Sequence, residues 1–113
     1  MFEQLHTDLN GVAAPIETSA SLPPACYADA DVAGLERDAV FRTSWVGIGR
    51  WDQWKNVGDY SALTIADIPV IVVRDKSQVL KAYSNSCRHR GSLMLEGSGN
   101  AQTISCPFHR WTY

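Results

Sequence analysis

Cys87-Arg-His89 and Cys106-Pro-Phe-His109 place four ligand-type side chains in two mixed pairs, giving the pattern C-x-H-x16-C-x2-H. With three Cys and three His in 113 residues, chance yields this pattern at a rate of roughly 10⁻⁴ per chain once a few spacings are tolerated. The four residues are therefore read as a metal site. Structural zinc also takes two Cys and two His, but its ligands usually come as C-x2–4-C and H-x3–5-H, where two like ligands turn onto one ion. A binuclear iron–sulfur cluster with two His replacing two Cys suits mixed pairs better, since each loop then gives a thiolate to one iron and an imidazole to the other. Cys87 and Cys106 would hold one iron, and His89 and His109 its partner. A zinc-binding structural module is the alternative, and metal content separates the two.

The neighbours of these ligands have plainer readings beside the chemical ones. Trp111 either shields the centre from water or packs as an ordinary aromatic. Arg88, Arg90 and Arg110 could hydrogen-bond near the ligands or dock an acidic redox partner, although any one of them is more simply a solvated charge. Gly91 and Pro107 shape the loops, the first by permitting positive φ and the second by stiffening the tip. Cys26 has no remaining thiol partner and reads as a small buried hydrophobe, and His6 reads as solvated. Gly47-Ile-Gly49 begins like a dinucleotide fingerprint, but Asp52 stands where the third Gly belongs and no βαβ unit follows, so it is set aside. Trp51 and Trp54 either pack or line a surface.

The elements that must position the ligands fit a single small domain. The chain is 45% hydrophobic and 19% charged with a net charge of −2, which leaves no basic footprint for nucleic acid and no polybasic segment for a membrane. The longest apolar stretch, Ile68 to Val73, is six residues against roughly 20 for a bilayer span. The N-terminus lacks a signal-peptide pattern, and three thiols without an export signal point to a reducing compartment, the cytoplasm. Residues 1–28 read as an irregular arm broken by Gly11, Pro15 and Pro23-Pro24. Over 29–44, Val32, Leu35, Ala39 and Val40 recur with helical period behind Asp29 or Asp31 as N-cap, predicting one helix. Short β-rich runs follow at Trp45–Ile48, Tyr60–Ile65, Val70–Arg74 and Val79–Tyr83, the close spacing of a small antiparallel sandwich or barrel. From Ser84 onward the Gly-containing stretches with Cys and His read as loops on that scaffold.

Taken together, Cys87-Arg-His89-Arg-Gly91-Ser92 and Cys106-Pro-Phe-His109-Arg-Trp-Thr-Tyr113 resemble the ligand loops of the Rieske [2Fe–2S] domain in ring-hydroxylating and related non-haem iron oxygenases. The resemblance continues upstream through Trp45-Val-Gly-Ile-Gly-Arg50 and Gly58-Asp59-Tyr60, covering roughly residues 22–113. Arg110 departs from it, since many members have Gly after the last ligand His. Ser92 and Phe108 stand where the Rieske proteins of cytochrome bc complexes carry a disulfide, so the resemblance points to the soluble, lower-potential branch. It implies a mainly β Rieske-type fold over residues 45–113, preceded by the arm and the helix and truncated at its C-terminus. It also implies electron transfer within an oxygenase large subunit, fed by a reductase or ferredoxin. The complete enzyme would hydroxylate an aromatic or quaternary-ammonium substrate, with neighbouring subunits contributing. The mononuclear Fe(II) of such enzymes sits in a further C-terminal domain. It needs two more His than the cluster uses, and only His6 remains here, so that site is expected in the missing domain alone. A stand-alone Rieske ferredoxin is the competing reading, against which stand the more than forty residues that precede Trp45.

Overall fold

Asp29 opens a helix as its sequence position suggests, its carboxylate accepting the backbone N–H groups of Asp31 and Val32 at 2.9 and 3.2 Å. These are donors that no earlier carbonyl can reach. The computed structural model describes residues 2–113, apart from the side chain of Phe2. The chain divides between Ser44 and Trp45 into two units. The first holds three helices, α1 (Phe2–Val12), α2 (Ala25–Ala28) and α3 (Ala30–Glu36). The arm expected to be irregular over 1–28 is thus helical over Phe2–Val12 and again over Ala25–Ala28, directly after Pro23-Pro24. Gly11 lies inside the last turn of α1, which runs on to Val12, and His6 is exposed on that helix.

The helix expected over 29–44 is also shorter than its apolar period. Beyond Glu36 the backbone widens into a π-type turn over Arg37–Phe41, in which the Arg42 N–H reaches back to the Arg37 carbonyl at 3.0 Å. The Thr43 hydroxyl takes the Ala39 carbonyl at 2.6 Å, offering the backbone a local alternative to another helical turn. Val32 is buried, whereas Leu35 and Val40 stay half exposed.

The second unit is antiparallel. Strands β1 (Asp59–Ile65), β2 (Ile68–Arg74), β3 (Leu80–Ser84) and β4 (Ser98–Asn100) form one sheet in the order β3-β2-β1-β4. The register of β1 and β2 runs from Tyr60 opposite Val73 to Ile65 opposite Ile68. Only Ala66 and Asp67 connect them, both at positive φ (49° and 65°), the two-residue turn whose twist matches the strands. The run Trp45–Ile48, expected as a strand, pairs with nothing, and Trp45 is fully exposed. Strand β4 was not anticipated because Ser98-Gly99-Asn100 has the composition of a turn. It pairs with β1, and a Cβ on Gly99 would lie 3.2 Å from the Tyr60 ring, so only the bare backbone approaches that closely.

Ile71 and Val72 on the central strand β2 are buried with Trp54 and, unusually, Arg74. The Arg74 guanidinium finds no carboxylate. Instead Nε donates to the Trp54 carbonyl, Nη1 donates to the Gln78 carbonyl at 2.8 Å, and the group lies 3.9 Å from the centre of the Trp51 ring. Carbonyl dipoles and a π face replace the lost hydration. Trp54 therefore packs in the core and donates its indole N–H to Ser61 at 3.1 Å, whereas Trp51 stays 62% exposed with its ring against the guanidinium. Gly49 needs no cofactor to explain it: at φ 148° an added Cβ would collide with Gln53 Oε1 at 2.0 Å, the atom that accepts the Arg50 N–H.

Candidate metal centre

Two hairpin tips carry the four candidate ligands, and the tips are copies of one another. In the first, Ser86 bridges Leu93, the Cys87 N–H donates to the Ser92 carbonyl at 2.9 Å, and the Gly91 N–H donates to the Cys87 carbonyl at 2.8 Å. In the second, Ser105 bridges Thr112, the Cys106 N–H donates to the Trp111 carbonyl at 2.8 Å, and the Arg110 N–H donates to the Cys106 carbonyl at 2.9 Å. Every partner is shifted by nineteen residues. Gly91 and Arg110 hold the same left-handed position, with φ of 69° and 62°. The departure noted at Arg110 thus leaves the turn intact and places a side chain where glycine is easiest. Pro107 occupies the first position of the second turn, and only the histidines break the correspondence. His89 matches Phe108, and His109 matches Arg90.

The first tip is anchored to the sheet by its base, and the second is closed across its own base. The Asn85 N–H, one residue beyond β3, donates to the Pro69 carbonyl on β2 at 2.8 Å. The buried Asn85 side chain then accepts from the N–H groups of Met94 and Leu95 at 3.1 and 3.0 Å and donates to the Leu95 carbonyl at 2.7 Å. One amide thereby closes the segment that returns from the first tip. In the second tip, Ile104 and Tyr113 exchange both backbone hydrogen bonds at 2.9 and 2.8 Å.

The thiols and the imidazoles face different surroundings. Cys87 and Cys106 are 3% and 1% exposed, whereas His89 and His109 are exposed with ring centres 4.8 Å apart, edge to face. The Tyr113 hydroxyl reaches from the second hairpin to the first, 3.2 Å from Cys87 Sγ. It also accepts the Arg88 N–H at 3.1 Å, and its own proton is free to be donated to the sulfur when the thiol is ionised. That hydroxyl is the main cause holding the Cys87 thiol below its ordinary range, aided by the His89 backbone N–H, the Cys106 side chain and the Arg90 N–H against the opposing effect of burial. The same contact pushes the Tyr113 hydroxyl up. The surroundings therefore favour the thiolate, the form that binds metal.

The four residues fit a binuclear cluster in donor type and in division, with buried sulfurs on one side and exposed nitrogens on the other. Among the described residues no group of three or more His, Cys, Asp or Glu is placed to hold a single ion, whereas a binuclear cluster asks two protein ligands of each iron. Cys26 is half-buried in the first unit as a free thiol. Asn85 and Tyr113 were not singled out as functional from sequence. Nothing local marks Tyr113, since its contact with Cys87 spans 26 residues.

The family model of the Rieske [2Fe-2S] domain matches residues 44–113. The chain belongs to the Rieske domain family. This Rieske domain chain is 36% identical over 98 residues to the benzene 1,2-dioxygenase subunit alpha of Pseudomonas putida strain F1, covering 86% of this chain and 22% of that subunit. It is 38% identical over 94 residues to the glycine betaine monooxygenase oxygenase subunit of Chromohalobacter salexigens, covering 82% and 21%. In structure it resembles naphthalene 1,2-dioxygenase from Rhodococcus sp., with a TM-score of 0.82 at 30% identity over 100% of this chain and 26% of that one. The Rieske chain thus spans about a fifth to a quarter of the length of these relatives. No helix among the described residues is long and apolar enough to cross a membrane.

Proposed function

We propose that Cys87 and Cys106 ligate one iron and His89 and His109 the other, and that the chain passes electrons as the N-terminal part of an oxygenase large subunit. The observation that carries this reading is the division of the site into buried thiols and exposed imidazoles. A bound cluster would supply a one-electron couple. The protein's own contribution is fourfold. Burial keeps water from the sulfurs, and the Tyr113 hydroxyl and backbone N–H groups stabilise negative charge there. The duplicated hairpin tips hold the ligands with little freedom to rearrange, and the exposed imidazoles bring one edge of the centre to the surface where an electron can leave or arrive.

Charge supports a protein electron donor. In the two candidate ligand tips, residues 86–93 and 105–112, the exposed Arg88, Arg90 and Arg110 stand with no carboxylate, although the whole chain is net negative. Such a patch suits a reductase or ferredoxin that presents carboxylates. Similarity to naphthalene 1,2-dioxygenase along the whole chain, first unit included, favours the oxygenase reading over a stand-alone carrier. The complete protein would hydroxylate an aromatic or quaternary-ammonium compound at a mononuclear iron. The present residues hold one further His, His6, too few for that second centre.

The test is anaerobic loading with iron and sulfide, followed by iron and acid-labile sulfide counts and nitrogen hyperfine spectroscopy of the reduced protein. Equal iron and sulfide with two imidazole couplings is expected, as is reduction by a chemical donor without product from either substrate class. Stoichiometric zinc without sulfide, or couplings from no nitrogen, would defeat the proposal.

A further inference from the structure

Four rings stand in a row at the exposed side of the site. Trp111 lies flat on His89, with centres 4.9 Å apart and planes 4° from parallel. His89 meets His109 edge to face at 4.8 Å and 62°. Phe108 leans on His109 at 3.9 Å and 36°. Both outer rings come from the second hairpin tip, and both are half exposed, at 49% and 59%.

Among the described residues, aromatic rings meet both imidazoles. A metal-binding histidine usually donates its second ring N–H to a carboxylate or carbonyl, which fixes the plane of the ring. Here neither His89 nor His109 makes a side-chain hydrogen bond to another described residue, although Cys87 receives several. The thiols are set by burial and hydrogen bonds. The imidazoles, on the open face, have aromatic neighbours instead.

We propose that Trp111 and Phe108 are positioning residues that fix the ring planes of His89 and His109, so that the imidazole half of the site is organised before iron arrives. The assignment rests on the ligand reading above and goes beyond it, because it divides the work: Trp111 orients His89, and Phe108 orients His109. The duplication of the tips makes the division intelligible. His89 and His109 occupy non-equivalent turn positions, so one backbone geometry cannot orient both, and a separate ring meets each. The stacked contact of Trp111 with His89 and the edge-to-face contact of His89 with His109 are favourable at these separations without hydrogen bonding, and Phe108 adds a tilted contact at 3.9 Å.

The experiment uses the full chain as wild type, Trp111→Leu, Trp111→Phe and Phe108→Leu. In metal-free protein, the ring proton resonances of His89 should carry a ring-current shift that Trp111→Leu abolishes and Trp111→Phe retains in part. In loaded protein, Trp111→Leu should alter one of the two imidazole nitrogen couplings and Phe108→Leu the other. Each Leu variant should release its cluster to a chelator about tenfold faster than wild type, with Trp111→Phe restoring most of the difference. Unchanged couplings and release in both Leu variants would overturn the assignment, as would Trp111→Phe behaving like Trp111→Leu. If Trp111→Leu does not fold, Phe108→Leu against wild type carries the comparison, and an unchanged imidazole coupling with unchanged release there overturns the assignment. Two couplings in the wild type establish the ligands first. Their absence there defeats the ligand reading, and their presence beside indifferent variants defeats only this one.

Discussion

Gly91 and Arg110 occupy one position in two copies of the same turn, each donating its N–H to the cysteine carbonyl four residues earlier at positive φ. A Cβ at Gly91 would meet only Ser86 Oγ, at an ordinary 3.7 Å, so the difference between the two sites is backbone strain and not space. Arg110→Gly should stabilise the metal-free protein by about 1 kcal/mol, and Gly91→Ala should destabilise it by a similar amount. Urea unfolding of the two variants measures both, and a loss of stability in Arg110→Gly would contradict the equivalence.

The proposed ligand set makes a sharper demand. Cys87→Ser, Cys106→Ser, His89→Ala and His109→Ala should each reduce cluster content to a small fraction, while Cys26→Ser should leave it unchanged. Iron and acid-labile sulfide per chain report the result. Dependence on Cys26 equal to that on Cys87 would show the assignment to be wrong.

Tyr113→Phe removes the hydroxyl that reaches Cys87 and the acceptor for the Arg88 N–H. A hydrogen bond to a ligand sulfur stabilises the more negative, reduced state, so its loss should lower the reduction potential. One such bond is worth about 1 kcal/mol, or on the order of 50 mV for one electron. Redox titration followed by visible absorbance decides the matter, and an unchanged potential would remove Tyr113 from the tuning of the site.

Asn85 is 2% exposed and satisfies three backbone groups at the base of the first tip. Asn85→Ala would leave those groups unpaired in a confined place, at a cost of about 2–3 kcal/mol. Chemical denaturation should show that loss, and cluster release should quicken with it. A nearly neutral substitution would mean that water or neighbouring residues take over the bonds.

Asp59 ties β1 to β4 and to the preceding turn through Asn100 at 2.7 Å and the Asn56 N–H at 2.8 Å. The Asn100 side chain is the leading cause that holds its carboxyl below the ordinary 3.8, followed by the Asn56 backbone. Because the folded value is depressed, the stabilisation is complete above 3.8 and disappears as pH falls through the lower folded value. Asp59→Asn should therefore be less stable at neutral pH and lose stability less steeply below pH 3.8. Thermal melts across that range would show it, and parallel acid limbs for variant and wild type would contradict it.

A candidate ligand set and the position of three strands were legible in the sequence for reasons that act over a few residues. The mixed Cys and His pairs needed only their types and spacing. Three strands announced themselves through β-branched and apolar runs bounded by turn residues, and the helix after Asp29 through its cap and period. Where local signals pointed the wrong way, a competing local or long-range term had won: Thr43 and a π-type turn against the helical period beyond Glu36, pairing with β1 against the turn-like composition of Ser98-Gly99-Asn100, and the absence of any partner strand beside Trp45–Ile48. The tertiary structure alone decided that the two ligand tips are one turn used twice. It alone brought Tyr113 to Cys87 across 26 residues, closed the first tip with Asn85, and gathered Trp111, His89, His109 and Phe108 into one row. Sequence determines which groups a chain can offer. Distances and ring planes between groups on separate hairpins follow only from the tertiary structure, because contacts such as Tyr113 with Cys87 and Trp111 with His89 join residues far apart in the chain.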